Sequence, residues 1–252
     1  MGEMDRETHN VLSLEDPVEY HMEGVSQSQV RPEIGYTFAN GLRTTLRQDP
    51  DIIMVGEIRD GETAQLAIQA ALTGHLVLST IHTNDAAGVI PRLIDMGVDP
   101  YLIAPTLTLV AAQRLVQTFC PGGAKPFPIS ESLRSEFEQS FSDLAPEYRP
   151  TIPAQLYEPQ ATPDCPSGVR GRVAAFEMFT MTPEIERVIL SKSSDLDMMP
   201  LLRKQGMLTM KEDALVKAFA GQIPYSEVNT LGSALIFDEE GPSAGVTTQP
   251  TT

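Results

Sequence analysis

The tightest constraint on the fold comes from two short apolar runs that sit one helix apart. Asp51 to Val55 is almost wholly apolar and β-branched and is closed by Gly56; Leu76 to Ser79 is apolar again. Runs of this length without polar alternation predict strands buried on both faces of a parallel sheet. Between them, Asp60 is placed as an N-cap, Glu62 lies in the first turn, and Gly74 follows the helix that ends at Leu72. Parallel neighbours need such a right-handed helical crossover. The fold class that follows is α/β. In open α/β sheets ligands sit at the carboxyl ends of the strands, and the first run leads there into Glu57, an acid placed for nucleotide-phosphate and Mg²⁺ chemistry. His75 and His82 flank the second run, and both are expected at the sheet's edge near Glu57.

Upstream, Val11 to Leu14 runs apolar into Glu15, Asp16, Pro17 and Glu19, and Pro17 holds the acids in an extended segment. Thr37 to Gln48 carries Phe38, Leu42 and Leu46 at helical spacing, with Arg43 and Arg47 forming a second row. Helices are also expected from Asn84 to Met96 and from Asp99–Pro100 to about Thr118, each containing an internal proline (Pro91, Pro105) read as a kink. Further along, an amphipathic helix is expected around Ser132 to Phe141. The later signals are a helix start at Thr182–Pro183 and a capping box from Thr209 to Glu212.

Composition removes several function classes. The chain has 252 residues and a net charge of −16, the reverse of the basic footprint that phosphate backbones require, so no nucleic-acid partner is expected. It has no run of about 18 apolar residues and no signal-peptide pattern, which points to the cytosol. Two cysteines, Cys120 and Cys165, make no disulfide framework and are expected to remain thiols there.

Together, Leu14–Glu–Asp–Pro–Val–Glu–Tyr20, the Asp51–Glu57 run and Thr73–Gly–His–Leu–Val–Leu–Ser–Thr–Ile–His–Thr83 resemble the Asp box, Walker B and His box of the ATPases that drive type II secretion and type IV pilus assembly. Ala111–Ala–Gln–Arg–Leu–Val116 is similar to that family's A-Q-R-L helix, and Val169–Met178 to its G-x-x-G-R-x-x-x-x-E strand. The resemblance implies a RecA-like P-loop NTPase core over residues 1–118 and a metal-binding-type insert over 119–168. A C-terminal strand and helical subdomain over 169–231 and a disordered tail over 232–252 would follow. It implies ATP and Mg²⁺ as cofactors, with Glu19 orienting the attacking water and Glu57 serving the phosphate–Mg²⁺ end. His75 and His82 would sense the γ-phosphate or couple hydrolysis to movement. Glu15, Asp16, Asp51, Arg43 and Arg47 complete the nucleotide-binding set, the arginines reaching phosphate or a neighbouring subunit. It also implies a homo-hexamer, peripheral at the inner membrane, acting on a membrane platform protein.

The chain departs from the family's pattern in two places. No G-x-x-x-x-G-K-[ST] phosphate loop occurs anywhere in it, so it reads as the C-terminal part of a longer, N-terminally truncated ATPase, or else as a non-catalytic ring or adaptor component. The absent elements are expected to leave Val11–Leu14 and Ile52–Val55 partly uncovered. In addition, the family's paired cysteines are here Cys120–Pro–Gly–Gly123 and Cys165–Pro–Ser–Gly168. Two thiolates do not close a tetrahedral site, so no zinc is expected.

Overall fold

A computed structural model describes residues 2–191 and 195–231; the expected tail lies outside them. Strands β1 (Val11–Glu15), β2 (Ser26–Gln29), β3 (Ile52–Ile58) and β4 (Leu76–Ile81) form one all-parallel sheet in the order β2-β1-β3-β4. Leu14, Ile53 and Val55 are completely buried in it, so Val11–Leu14 and Ile52–Val55 are covered, contrary to expectation. Helices pack over both strands. The uncovered elements are the edge strands β2 and β4, and Leu76 of β4 is 49% exposed.

Helix α1 (Phe38–Thr45) starts on a Thr37 cap and buries Leu42. Helix α2 (Gly61–Leu72) makes the crossover, with Asp60 accepting from the Thr63 N–H at 2.8 Å. Its buried face is Thr63, Ala64, Ala67, Ile68 and Ala70, and the three alanines let it lie close to the sheet. The strand runs through Gly56 instead of ending at it, and the chain is close-packed there: a Cβ would stand 3.0 Å from the Leu14 carbonyl oxygen and 3.5 Å from the Phe38 ring.

Two expected helices differ. The segment after His82 stays irregular until α3 (Val89–Asp95), so Pro91 falls in a first turn whose N–H groups have no intrahelical partner, and no kink is needed. Helix α4 (Pro100–Thr106) stops after about two turns, and Leu109–Phe119 is strand β5, paired antiparallel with β8 (Val169–Thr180). The Ala-Ala-Gln-Arg-Leu segment has high helix propensity, but Val110 and Val116 face inward with the period of a strand. Pairing along β8 outweighs tenths of a kcal/mol of local preference.

The insert adds β6 (Ala124–Pro128), α5 (Glu131–Ser140) and β7 (Gln155–Pro159), and the chain finishes with α6 (Pro183–Leu190), α7 (Asp195–Lys204), α8 (Met210–Phe219) and α9 (Tyr225–Thr230). The insert's Phe137, Phe141, Leu144 and Leu156 share one core with Ala214 and Leu215 of α8 and Val228 of α9. Meanwhile Ile185, Ile189 and Leu202 join the core of the parallel sheet. At the insert's neck, Cys120 and Cys165 are not thiols but a disulfide, because the end of β5 and the approach to β8 bring their buried sulfurs together. Gly123 and Gly168 lie against backbone there: a Cβ on Gly123 would fall 2.5 Å from the Gly168 oxygen, and one on Gly168 2.7 Å from Gln160. Neither position has room for a side chain.

Candidate functional site

At the carboxyl end of β3, Glu57 has a side chain only 12% exposed. Its Oε2 accepts from Arg59 Nε at 2.5 Å and lies 3.0 Å from His82 Nε2. A carboxylate only accepts, so this contact places the imidazole proton on Nε2. Arg59, the first residue past β3, folds back onto the acid. Thr80 Oγ1 donates to the Gly56 carbonyl at 2.6 Å and locks the end of β4, and with it His82, to the end of β3. Among the described residues, Glu57 Oε1 has no hydrogen-bond partner.

Glu15 ends β1 at the same edge of the sheet, one register step beyond the Leu14–Val55 pair. It is buried and engaged: Oε1 accepts from Ser13 Oγ at 2.6 Å and from Gln27 Nε2 at 2.9 Å. Asp16 and Glu19 follow on an exposed loop leaving that edge. Arg43 on α1 pairs with Glu62 at the start of α2 and donates to Asn40 Oδ1 at 3.2 Å, holding a guanidinium on the Glu57 side of the sheet.

The other three sequence candidates are elsewhere. Asp51 precedes β3 and accepts from the Asn10 N–H at 2.7 Å; His75 precedes β4 and sits level with it, its Nδ1 2.8 Å from the Ala70 carbonyl. Strands of this length put both about 20 Å from Glu57, at the amino end of the sheet. The expectation that the two histidines meet near Glu57 therefore fails for His75, because they bracket one strand lengthwise. Arg47 is exposed beyond the last turn of α1, toward that same end.

Beside His82 a cleft of about 410 Å³ opens between β4 and β5, lined by Ile58, Val77, Asn84, Val110, Arg114 and Met210. Its rim is the loop from Thr83 to Gly88, fastened from below by the glutamate of the Val169–Met178 motif, which was not among the candidate site residues. Glu177 of β8, buried to 4% exposure, accepts from the Ala86 N–H at 2.9 Å and the Met210 N–H at 3.4 Å. Burial pushes its carboxyl above the ordinary glutamate value despite these two donors, and the charges of Asp85 and Glu212 act in the same direction. The available signal was an acid at an inward position of an alternating strand. Among the described residues no cluster of three or more metal-ligating side chains occurs.

The model of the type II/IV secretion system proteins matches residues 1–230. The chain belongs to this family. It is 44% identical over 228 residues to type II secretion system protein E of Xanthomonas campestris pv. campestris, covering 90% of this chain and 39% of that protein. With the type IV pilus assembly ATPase PilB of Acinetobacter baylyi it shares 43% over 233 residues, 91% of this chain and 39% of PilB. The chain thus spans about two-fifths of the length of these curated relatives. Among solved structures, the Legionella pneumophila ATPase DotB superposes with a TM-score of 0.59 at 25% identity, over 91% of this chain and 53% of DotB. The pilus retraction motor PilT with bound ADP gives 0.58 at 24%, over 88% and 52%. The parallel sheet with its flanking helices and small C-terminal helical part is the RecA-like architecture of this secretion ATPase family.

Proposed function

We propose that this chain forms the hydrolytic edge and C-terminal helical part of an ATPase that powers type II secretion or type IV pilus assembly. The observation that carries this reading is the Glu57–His82 contact at the carboxyl edge of a family-matched parallel sheet. Glu57 Oε1, without a hydrogen-bond partner among the described residues, suits the water shell of a Mg²⁺ ion, which when bound neutralises phosphate charge. The exposed Glu19 is free to orient the attacking water. His82, fixed by Glu57 through Nε2, keeps Nδ1 as an acceptor for a water bound to the phosphate. Arg43 and Arg59 supply guanidinium charge at the same edge; Arg47 does so only toward a neighbouring subunit. Asp51 and His75 serve the fold at the far edge and are left out of the hydrolytic group.

The sequence holds no glycine-rich loop with a following lysine of the kind that cradles the β- and γ-phosphates in P-loop enzymes. In this reading that cradle is supplied from outside these residues. We infer the assembly to be a homo-hexamer working at the cytoplasmic face of the inner membrane through a platform protein. No described helix is long and apolar enough to cross a membrane, in keeping with attachment through partners. The missing loop favours a second reading, a non-catalytic ring component. Phosphate release from the 252-residue chain, and from the chain joined to its upstream coding sequence, separates the two. Magnesium-dependent hydrolysis only in the longer form supports the ATPase. An upstream sequence without a phosphate loop, and no hydrolysis by either form, leaves the ring component.

A further inference from the structure

Glu177 occupies a place where the alternation of β8 calls for an apolar side chain. Its inward-facing neighbours two residues away, Ala175 and Phe179, are both buried hydrophobics. Burying a carboxylate there costs free energy, and no basic side chain is paired with it among the described residues. What the position gains is two backbone donors from distant parts of the chain. One is Ala86, in the loop between His82 and α3; the other is Met210, the first residue of α8.

Both partners also make hydrogen bonds within their own segments. Thr83 Oγ1 donates to the Asp85 carbonyl and the Gly88 N–H to Asp85 Oδ1, each at 2.8 Å, and Ala86 and Ala87 are buried, so the loop is tied internally and turned inward at Ala86. In α8 the capping box already uses the Thr209 and Glu212 N–H groups, leaving the Met210 donor aimed at Glu177, where helix polarity favours a negative charge. Met210 and His82 also line the same cleft.

We propose that Glu177 is a positioning residue: its carboxylate clasps the His82-bearing loop to the first turn of α8, so that the His82–Glu57 contact and the C-terminal helices move as one body. Its relevance to turnover rests on the ATPase reading; the clasp itself does not. Residue-resolved amide exchange on the nucleotide-free 252-residue chain tests it in the wild type, Glu177→Ala and Glu177→Gln. The α8 helix stays anchored in both variants because Asp213 Oδ2 independently accepts from the Phe176 N–H at 2.7 Å. In Glu177→Ala the Ala86 and Met210 amides exchange about tenfold faster or more, while Ile53 and Val55 in β3 stay within about twofold. Glu177→Gln keeps one acceptor oxygen and restores protection at one of the two amides only. Unchanged exchange at Ala86 in Glu177→Ala overturns the clasp, as does a common acceleration of all amides that follows a lowered melting temperature. In the ATP-hydrolysing longer form, Glu177→Ala lowers kcat while leaving KM within about threefold; if that form's wild type has no turnover, the ATPase reading falls and the exchange result stands alone.

Discussion

Replacing Arg203 by methionine tests how the insert, α7 and α8 are held together. The guanidinium, 5% exposed, makes two fork contacts: Nε and Nη2 donate to Asp143 at 2.9 and 2.6 Å, and Nη1 and Nη2 donate to Glu212 at 2.6 and 2.8 Å. Nη1 also reaches the Met207 carbonyl at 2.7 Å. The two arms are unequal. The Asp143 side chain is 60% exposed, so its loss costs under about 1 kcal/mol. Glu212 is 11% exposed and would keep only the Thr209 N–H at 2.8 Å. Stranding a buried charge in this way costs about 3–5 kcal/mol, and the surviving cap bond favours the low end, about 3 kcal/mol. For a chain of this length that lowers the melting temperature by about 6–12 °C. Urea unfolding at neutral pH reads the value directly. Adding Glu212→Gln removes the stranded charge while keeping a capping side chain, and should recover at least half of the loss. A loss below about 1 kcal/mol for Arg203→Met, or strict additivity in the double variant, refutes the reasoning.

Three smaller predictions accompany it. Purified protein contains no stoichiometric zinc and chelator leaves its melting curve unchanged, because Gly123 and Gly168 leave no room for further ligand side chains; about one zinc per chain by elemental analysis would show this to be mistaken. Reducing the Cys120–Cys165 bond, which spans 45 residues, destabilises the fold by up to about 4 kcal/mol, measured by calorimetry with and without reductant. Glu177 has a folded-state pKa raised by burial, so between its unfolded and folded values the native state holds the extra proton, and wild-type stability falls as pH rises through that window. The stability of Glu177→Gln relative to wild type should therefore increase from about pH 4 to about pH 7, and a flat difference in paired urea titrations would count against the assignment.

The sequence carries the central βαβ unit plainly, because its β-branched runs, the Asp60 cap and the glycine after the helix all act locally. The capping box at Thr209–Glu212 is legible for the same reason. Strand β5 is not. Its residues favour helix, and the partner that makes it a strand lies across the whole insert. The candidate site was half legible. Glu57 and His82 meet because they end adjacent parallel strands, whereas His75 and Asp51, equally prominent in the sequence, begin them. Glu177 was visible as part of a motif, but its partners, Ala86 and Met210, contribute only backbone N–H groups, which no residue pattern marks.

The most direct measurement is magnesium-dependent phosphate release by Glu57→Gln in the longer, ATP-hydrolysing form, run beside nucleotide binding. The substitution keeps the shape of the side chain and removes the charge facing Arg59 and His82. The account predicts ATP affinity within about threefold of wild type and hydrolysis lowered by about 100-fold or more, the scale of one lost charge-stabilising group. A variant that retains more than about half of the wild-type rate would contradict the placement of the hydrolytic chemistry at the end of β3.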